Sequence, residues 1–83
     1  MYAFHELKID TKYYADVVRG LKTFELRKMD RDYKIGDMLV LYEFDREIFT
    51  GRMFTVKIVY ILKDVPEYGL IDGYGILGIE VVK

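Results

Sequence analysis

A chain of 83 residues with 52% hydrophobic side chains, including eight Tyr and five Phe, is expected to hold one core and to be too small for two, and its composition excludes a disordered segment. With no cysteine and a single histidine, disulfide frameworks, thiolate zinc sites, cysteine nucleophiles and multi-histidine metal centres are also excluded. Thirteen Lys and Arg against fourteen Asp and Glu leave a net charge of −1, so any attraction to nucleic acid or to an anionic membrane has to come from a local patch. No apolar run approaches the roughly 18 residues that a membrane span needs, and the start MYAFHELKID lacks the plan of a signal peptide. The expectation is one domain over residues 1–83, soluble and cytoplasmic, with no membrane partner and no cofactor.

Tyr2–Ile9 reads as a first strand, with Phe4, Glu6 and Lys8 on one face and His5, Leu7 and Ile9 on the other. Asp10 and Thr11 are acceptable helix N-caps, and Tyr14, Val17, Val18 and Leu21 follow at the spacing of one helical face. This predicts a helix over Lys12–Leu21 with Gly20 near its C-terminal cap.

The stretch Gly20–Asp37 concentrates ionisable side chains between glycines. Its first half alternates, so that Lys22, Phe24, Leu26 and Lys28 share one face of a strand while Thr23, Glu25 and Arg27 share the other. Met29–Ile35 is a charged loop, closed by the turn pair Gly36-Asp37.

Met38–Phe44 is apolar on both faces for its first five residues, the pattern of a central strand covered on both sides. Asp45–Gly51 reads as the longer loop of a hairpin, and Arg52–Lys63 as a long strand alternating Phe54, Val56, Ile58, Tyr60 and Leu62 with Thr55, Lys57, Val59, Ile61 and Lys63. Asp64–Gly73 holds the only proline, Pro66, and crosses to a last strand, Tyr74–Val82, in which Gly75 and Gly78 imply curvature or a close approach by another segment. Five strands and one helix give a mainly β, α+β fold, and a strongly bent small barrel closes its edges most simply.

Several pieces of the chain carry a family likeness: HELKI at 5–9, KTFELRKMDR at 22–31, GD at 36–37, TGR at 50–52 and GYGILGI at 73–79. In this order they resemble the ASCH domain of the PUA-like superfamily, and within it an uncharacterised bacterial and phage subfamily. The resemblance implies a pseudo-barrel of about five to six strands with one helix beside a cleft, and a role in binding RNA. Some ASCH relatives resemble amidohydrolases of acylated cytidine nucleosides that use a Lys in a G-x-K-T segment, a Thr two residues beyond that segment's Thr, and a distant Glu. Lys22 matches the Lys, but Glu25 stands where the catalytic Thr would be, a departure that favours recognition over catalysis.

Two readings therefore stand for each candidate residue. Lys22, Arg27, Lys28 and Arg31 hold a phosphate or carboxylate, or else Glu25 and Arg27 pair on a solvated surface. His5 is a proton-transfer group or a hydrogen-bonded, partly buried histidine; Lys8 is a cleft cation or an ordinary surface lysine. Asp30 and Asp32 already have Arg31 and Lys34 as countercharges, so no metal site is expected. Of the thirteen aromatics most belong to the core, with Tyr33 and Tyr74 the candidates for stacking on an unpaired base and Tyr68 a further loop aromatic.

Three functions compete on these grounds. The leading one is an RNA- or nucleotide-binding module whose cleft is lined by Lys22, Glu25 and Arg27. The others are a modified-nucleoside hydrolase with Lys22 as amine and Glu25 as acid or base, and a phage-associated module that binds another protein.

Overall fold

The computed structural model describes residues 2–82. Strand β1 (Phe4–Asp10) runs directly into helix α1 (Thr11–Val18), because Asp10 takes an extended conformation and its carboxylate caps the helix by accepting from the Lys12 amide at 2.9 Å. The helix is shorter than the predicted Lys12–Leu21. Gly20 turns left-handed (φ 74°) and the Leu21 and Lys22 amides fold back onto the Asp16 carbonyl, so Leu21 leaves the helical register and stands exposed. Of the predicted apolar stripe only Val17 is buried, while Tyr14 packs against the core's margin.

Strands β2 (Phe24–Lys28), β3 (Met38–Asp45), β4 (Ile48–Lys63) and β5 (Tyr74–Val81) complete one five-stranded sheet in the order β1-β3-β4-β5-β2. Only β1 and β3 are parallel, joined by a crossover that carries α1 and β2. The sheet curls into a half-barrel whose inner face is filled by Leu7, Ile9, Leu39, Leu41, Val56, Ile58, Leu77 and Ile79, with Val17 of α1 and Tyr33 of the β2–β3 loop closing the ends. The fold is thus the expected mainly β, α+β pseudo-barrel with one helix. Among the described residues no helix is long and apolar enough to cross a membrane.

Two predicted details change, both through backbone irregularities that periodicity does not reveal. The β3–β4 hairpin has a two-residue turn at Arg46-Glu47, both with positive φ (48° and 76°), where a loop over Asp45–Gly51 was expected; β4 therefore begins at Ile48. Tyr42 pairs with Met53 and Phe44 with Phe49, so Thr50, Gly51 and Arg52 bulge opposite Glu43. A second register shift lies between Ile58 and Tyr60. It puts Ile61, and not the expected Tyr60 and Leu62, on the inner face opposite Leu77.

The two β5 glycines meet close neighbours. A Cβ at Gly75 would lie 2.8 Å from Met29 Sδ, and one at Gly78 would lie 3.0 Å from Tyr60 Cβ.

Candidate functional site

The two edge strands of the half-barrel, β1 and β2, face one another across a cleft. On β2, Glu25 is in register with Leu77 and so points inward, where it is 4% exposed. From Phe24 to Lys28 the sequence alternation holds, but the sense of burial is inverted relative to an apolar-in strand: Phe24 and Leu26 point away from the core and stand exposed at the rim of the cleft, and the ionisable face is the covered one.

A carboxylate taken from water needs compensation, and two cations supply it. Lys22 Nζ donates to Glu25 Oε1 at 2.7 Å and to the Phe24 carbonyl at 2.7 Å. Arg27 donates to Glu25 Oε2 through Nε at 3.1 Å, and its Nη2 lies 3.0 Å from the same oxygen as an ion-pair contact. Arg27 Nη2 also donates to the Lys8 carbonyl of β1, bridging the two edges where no ladder joins them. Within this triad two cations meet one carboxylate, and Asp10, which also lines the cleft, offsets the second.

Donor accounting shows what remains. An ammonium has three N–H groups, of which Lys22 uses two; a guanidinium has five, of which Arg27 uses two. One donor on Lys22 and three on Arg27 are left for an acceptor in the cleft. The cavity there measures about 450 Å³ and is walled by Ile9, Asp10, Tyr13, Phe24 and Leu26 beside the charged groups. Lys22 Nζ lies 4.8 Å from the Phe24 ring centre and 5.3 Å from that of Tyr13, within cation–π distance of both rings.

The other predicted residues lie elsewhere. Lys8 contributes its carbonyl to the cleft, whereas its ammonium sits on the outer face over the Phe44 and Phe49 rings at 4.8 and 5.9 Å. Lys28 and Tyr74 are register partners at the far end of β2, on the outer face with Phe24 and Leu26. Arg31 is exposed in the loop.

Tyr33 is not a loop aromatic free to stack. Its side chain is buried in the core with its ring 4.8 Å from that of His5, and burial pushes its hydroxyl pKa up. His5 Nε2 bonds to Asp37 Oδ2 at 2.8 Å. Asp37 also accepts from the Ala3 and Lys34 amides, and these bonds, led by the one from His5, outweigh burial and hold its carboxyl below the usual range. Asp32 pairs with Lys34 at 3.0 Å in solvent, and among the described residues no three His, Asp or Glu side chains gather as metal ligands.

A second polar cluster escaped the sequence reading. Glu43, 2% exposed, accepts from Arg52 Nε (2.6 Å), Thr50 Oγ1 (2.6 Å) and Thr11 Oγ1 (2.8 Å). The bonds from Arg52 and Thr50 bring its pKa down to about 2, against the effect of burial. The Glu43 charge and burial together push the Tyr14 pKa up, burial contributing most. The available signal was parity: Glu43 continues the inward series Leu39, Leu41, and a carboxylate on a buried period-two face requires partners. The β4 bulge supplies two of them from the TGR stretch.

Over residues 4–79 the chain matches the family described as Domain of unknown function (DUF3850), and it belongs to that family. It is also 44% identical over 54 residues to the protein named "Uncharacterized 12.9 kDa protein in GpA 3'region" of Escherichia phage P2. That match covers 65% of this chain and 50% of the relative, so the chain spans about half the length of the phage protein.

Proposed function

We propose that the domain is an RNA- or nucleotide-binding module of ASCH, PUA-like type that acts in the cytoplasm and takes its ligand in the β1–β2 cleft. The supporting observation is the buried Glu25 carboxylate, which fixes Lys22 and Arg27 while leaving four of their N–H groups unspent beside two aromatic rings. Oxygen acceptors, whether phosphate or the edge of a base, match those donors, and an unpaired base suits the rings. Glu25 orients the two cations, since both of its oxygens are engaged by them. Tyr13 and Phe24 take the stacking role that sequence reasoning gave to Tyr33 or Tyr74.

The same bonds weigh against a modified-nucleoside hydrolase. A nucleophilic or basic Lys22 needs a free amine lone pair, whereas Lys22 Nζ is occupied as a donor toward Glu25 and the Phe24 carbonyl. The relative from phage P2 supports a phage-associated setting for the module.

Fluorescence anisotropy with labelled single-stranded RNA at low salt tests the reading. Arg27→Ala is expected to weaken binding at least about tenfold, the loss of a charge-assisted, positioned donor pair. An absence of binding by the wild type, or binding indifferent to Arg27→Ala, refutes it.

A further inference from the structure

Helix α1 has a groove on each side. The cleft above borders it at Asp10 and Tyr13; the other groove, about 340 Å³, is lined by Tyr14, Ala15, Val18 and Arg19 of α1 together with Glu43 and Arg52 of the sheet. We infer that this second groove is a phosphate-binding site for the backbone of the same RNA strand, so that the ligand is a strand crossing α1 and not a mononucleotide. The inference rests on the cleft reading and extends it.

Three observations carry it. First, Arg52 is held at one point only: Nε is bonded to the buried Glu43, while its side chain is 67% exposed and four guanidinium N–H groups remain for another acceptor. A fork anchored by its Nε and open at its outer edge is the geometry in which Arg takes phosphate bidentately. Second, the guanidinium carbon lies 5.7 Å from the Tyr14 ring centre, so the plane is supported from below as well as tethered. Third, Arg19 lines the same groove from the helix, and among the described residues no carboxylate forms an ion pair with it. Glu43 offsets one of the two cations, so the groove keeps a net positive charge.

The crest between the grooves also carries a cation. At 100° per residue Lys12 falls beside Arg19 on the solvent side of α1, and its Nζ leans over the Tyr13 ring at 5.1 Å, toward the cleft. Lys22 and Arg27, then Lys12, then Arg19 and Arg52 place five cations across α1 against the four carboxylates of Asp10, Asp16, Glu25 and Glu43, a small local surplus on a protein whose net charge is −1. A continuous polyanion has a use for all three stations, whereas a mononucleotide fills only the cleft.

The test compares a labelled single-stranded RNA of about ten nucleotides, within the roughly 4–16 that small barrel domains cover, with AMP followed by calorimetry. Arg19→Ala removes one phosphate contact, and Arg52→Lys loses the fork while keeping a cation on Glu43. Lys63→Ala, at the far end of β4, controls for loss of net charge. Each single-strand phosphate contact contributes about 0.7 to the slope of log K against log salt concentration, so Arg19→Ala should flatten the slope by about 0.7 and weaken the strand about fivefold to tenfold at 50 mM salt. Arg52→Lys should weaken it by a factor of about three or more. Lys63→Ala should do neither, and AMP binding should not change in any of the three. Urea midpoints equal to the wild type show that the variants remain folded.

Strand binding that depends on Arg27 but responds to Arg19→Ala and Arg52→Lys no more than to Lys63→Ala overturns the groove and leaves the cleft reading intact. A loss of AMP binding in Arg19→Ala equal to its loss of strand binding also overturns it. A wild type that binds neither probe removes both.

Discussion

Replacing Glu25 with Gln isolates the charge at the centre of the cleft, because the side chain keeps its shape. In the wild type one carboxylate oxygen accepts from Lys22 and the other from Arg27, with side-chain exposures of 15%, 5% and 23% for Lys22, Glu25 and Arg27. A glutamine can offer an oxygen to only one cation; its NH2 faces the other, donor against donor. One charge-assisted bond is lost outright, at roughly 1.5–3 kcal/mol, and the other weakens by about 1 kcal/mol. Lys22 and Arg27 each retain some contact with water, so the sum is taken at its lower end, about 2–3 kcal/mol. For a domain of this size that corresponds to a fall in Tm of roughly 10–20 °C. Removing all three charges by Lys22→Met, Glu25→Leu and Arg27→Met leaves no stranded ion and should bring stability back to within about 1 kcal/mol of the wild type. Urea titrations of the wild type, the single variant and the triple variant read both values. A Glu25→Gln loss below about 0.5 kcal/mol, or a triple variant less stable than the single one, refutes the view that the carboxylate is a desolvated holder of two cations.

Acid should expose the second buried carboxylate. Glu43 titrates near 4.5 when unfolded and at about 2 when folded, so between those values the unfolded chain binds more protons; its contribution is complete above about pH 4.5 and is lost toward pH 2. Asp37, also held low, acts in the same direction. Urea midpoints should be level from pH 7 to 5 and then fall, and Glu43→Gln should reduce the steepness of that fall; an unchanged steepness contradicts the assignment. At the hairpin, Arg46→Asn with Glu47→Gly replaces two residues held at positive φ by the pair that prefers a two-residue turn, for a gain of about 1 kcal/mol, and a lower unfolding midpoint speaks against the turn described. Tyr33→Ala should cost about 3–4 kcal/mol as a core truncation, while Arg31→Ala two residues away stays within about 0.5 kcal/mol; similar small losses for both would return Tyr33 to the surface.

Period-two alternation and turn residues were enough to locate the strands and the helix, because a small barrel with one covered face imposes that pattern on nearly every strand. What they missed follows from single-residue irregularities. Arg46 and Glu47 carry none of the Gly or Asn signature of a two-residue turn, so the hairpin read as a loop. The shift near Val59 exchanges inward and outward positions without a change in composition. The site divided in the same way. Glu25 and Arg27 are neighbours in sequence that strand parity puts on one face, whereas Lys22, assigned to the other face by parity, joins them because β2 begins only at Phe24 and its side chain turns back to Glu25. Tyr33, called toward solvent by its charged neighbours, is drawn into the core instead, against His5. Glu43 meets Thr11 and Arg52 only through long-range register and a bulge, neither of which a single sequence displays.

The inverted burial of β2 has a consequence for assembly as well as for ligands. β1 and β2 are both edge strands, and they stay separate except for the Arg27 bond to the Lys8 carbonyl. An edge with free backbone groups and exposed Phe24 and Leu26 invites pairing with another sheet, and inward-pointing charge is one of the devices that prevents it. The triad then has two tasks: it holds donors toward a ligand, and it makes the β2 edge costly to continue, since a further strand would cover Lys22, Glu25 and Arg27 and desolvate them. The triple apolar variant separates the tasks from stability. It should remain folded, lose RNA binding, and show a higher average mass than the wild type in sedimentation equilibrium at equal concentration. If its mass matches the wild type across the concentration range, edge protection is no part of the triad's role, and the charges are retained for the ligand alone.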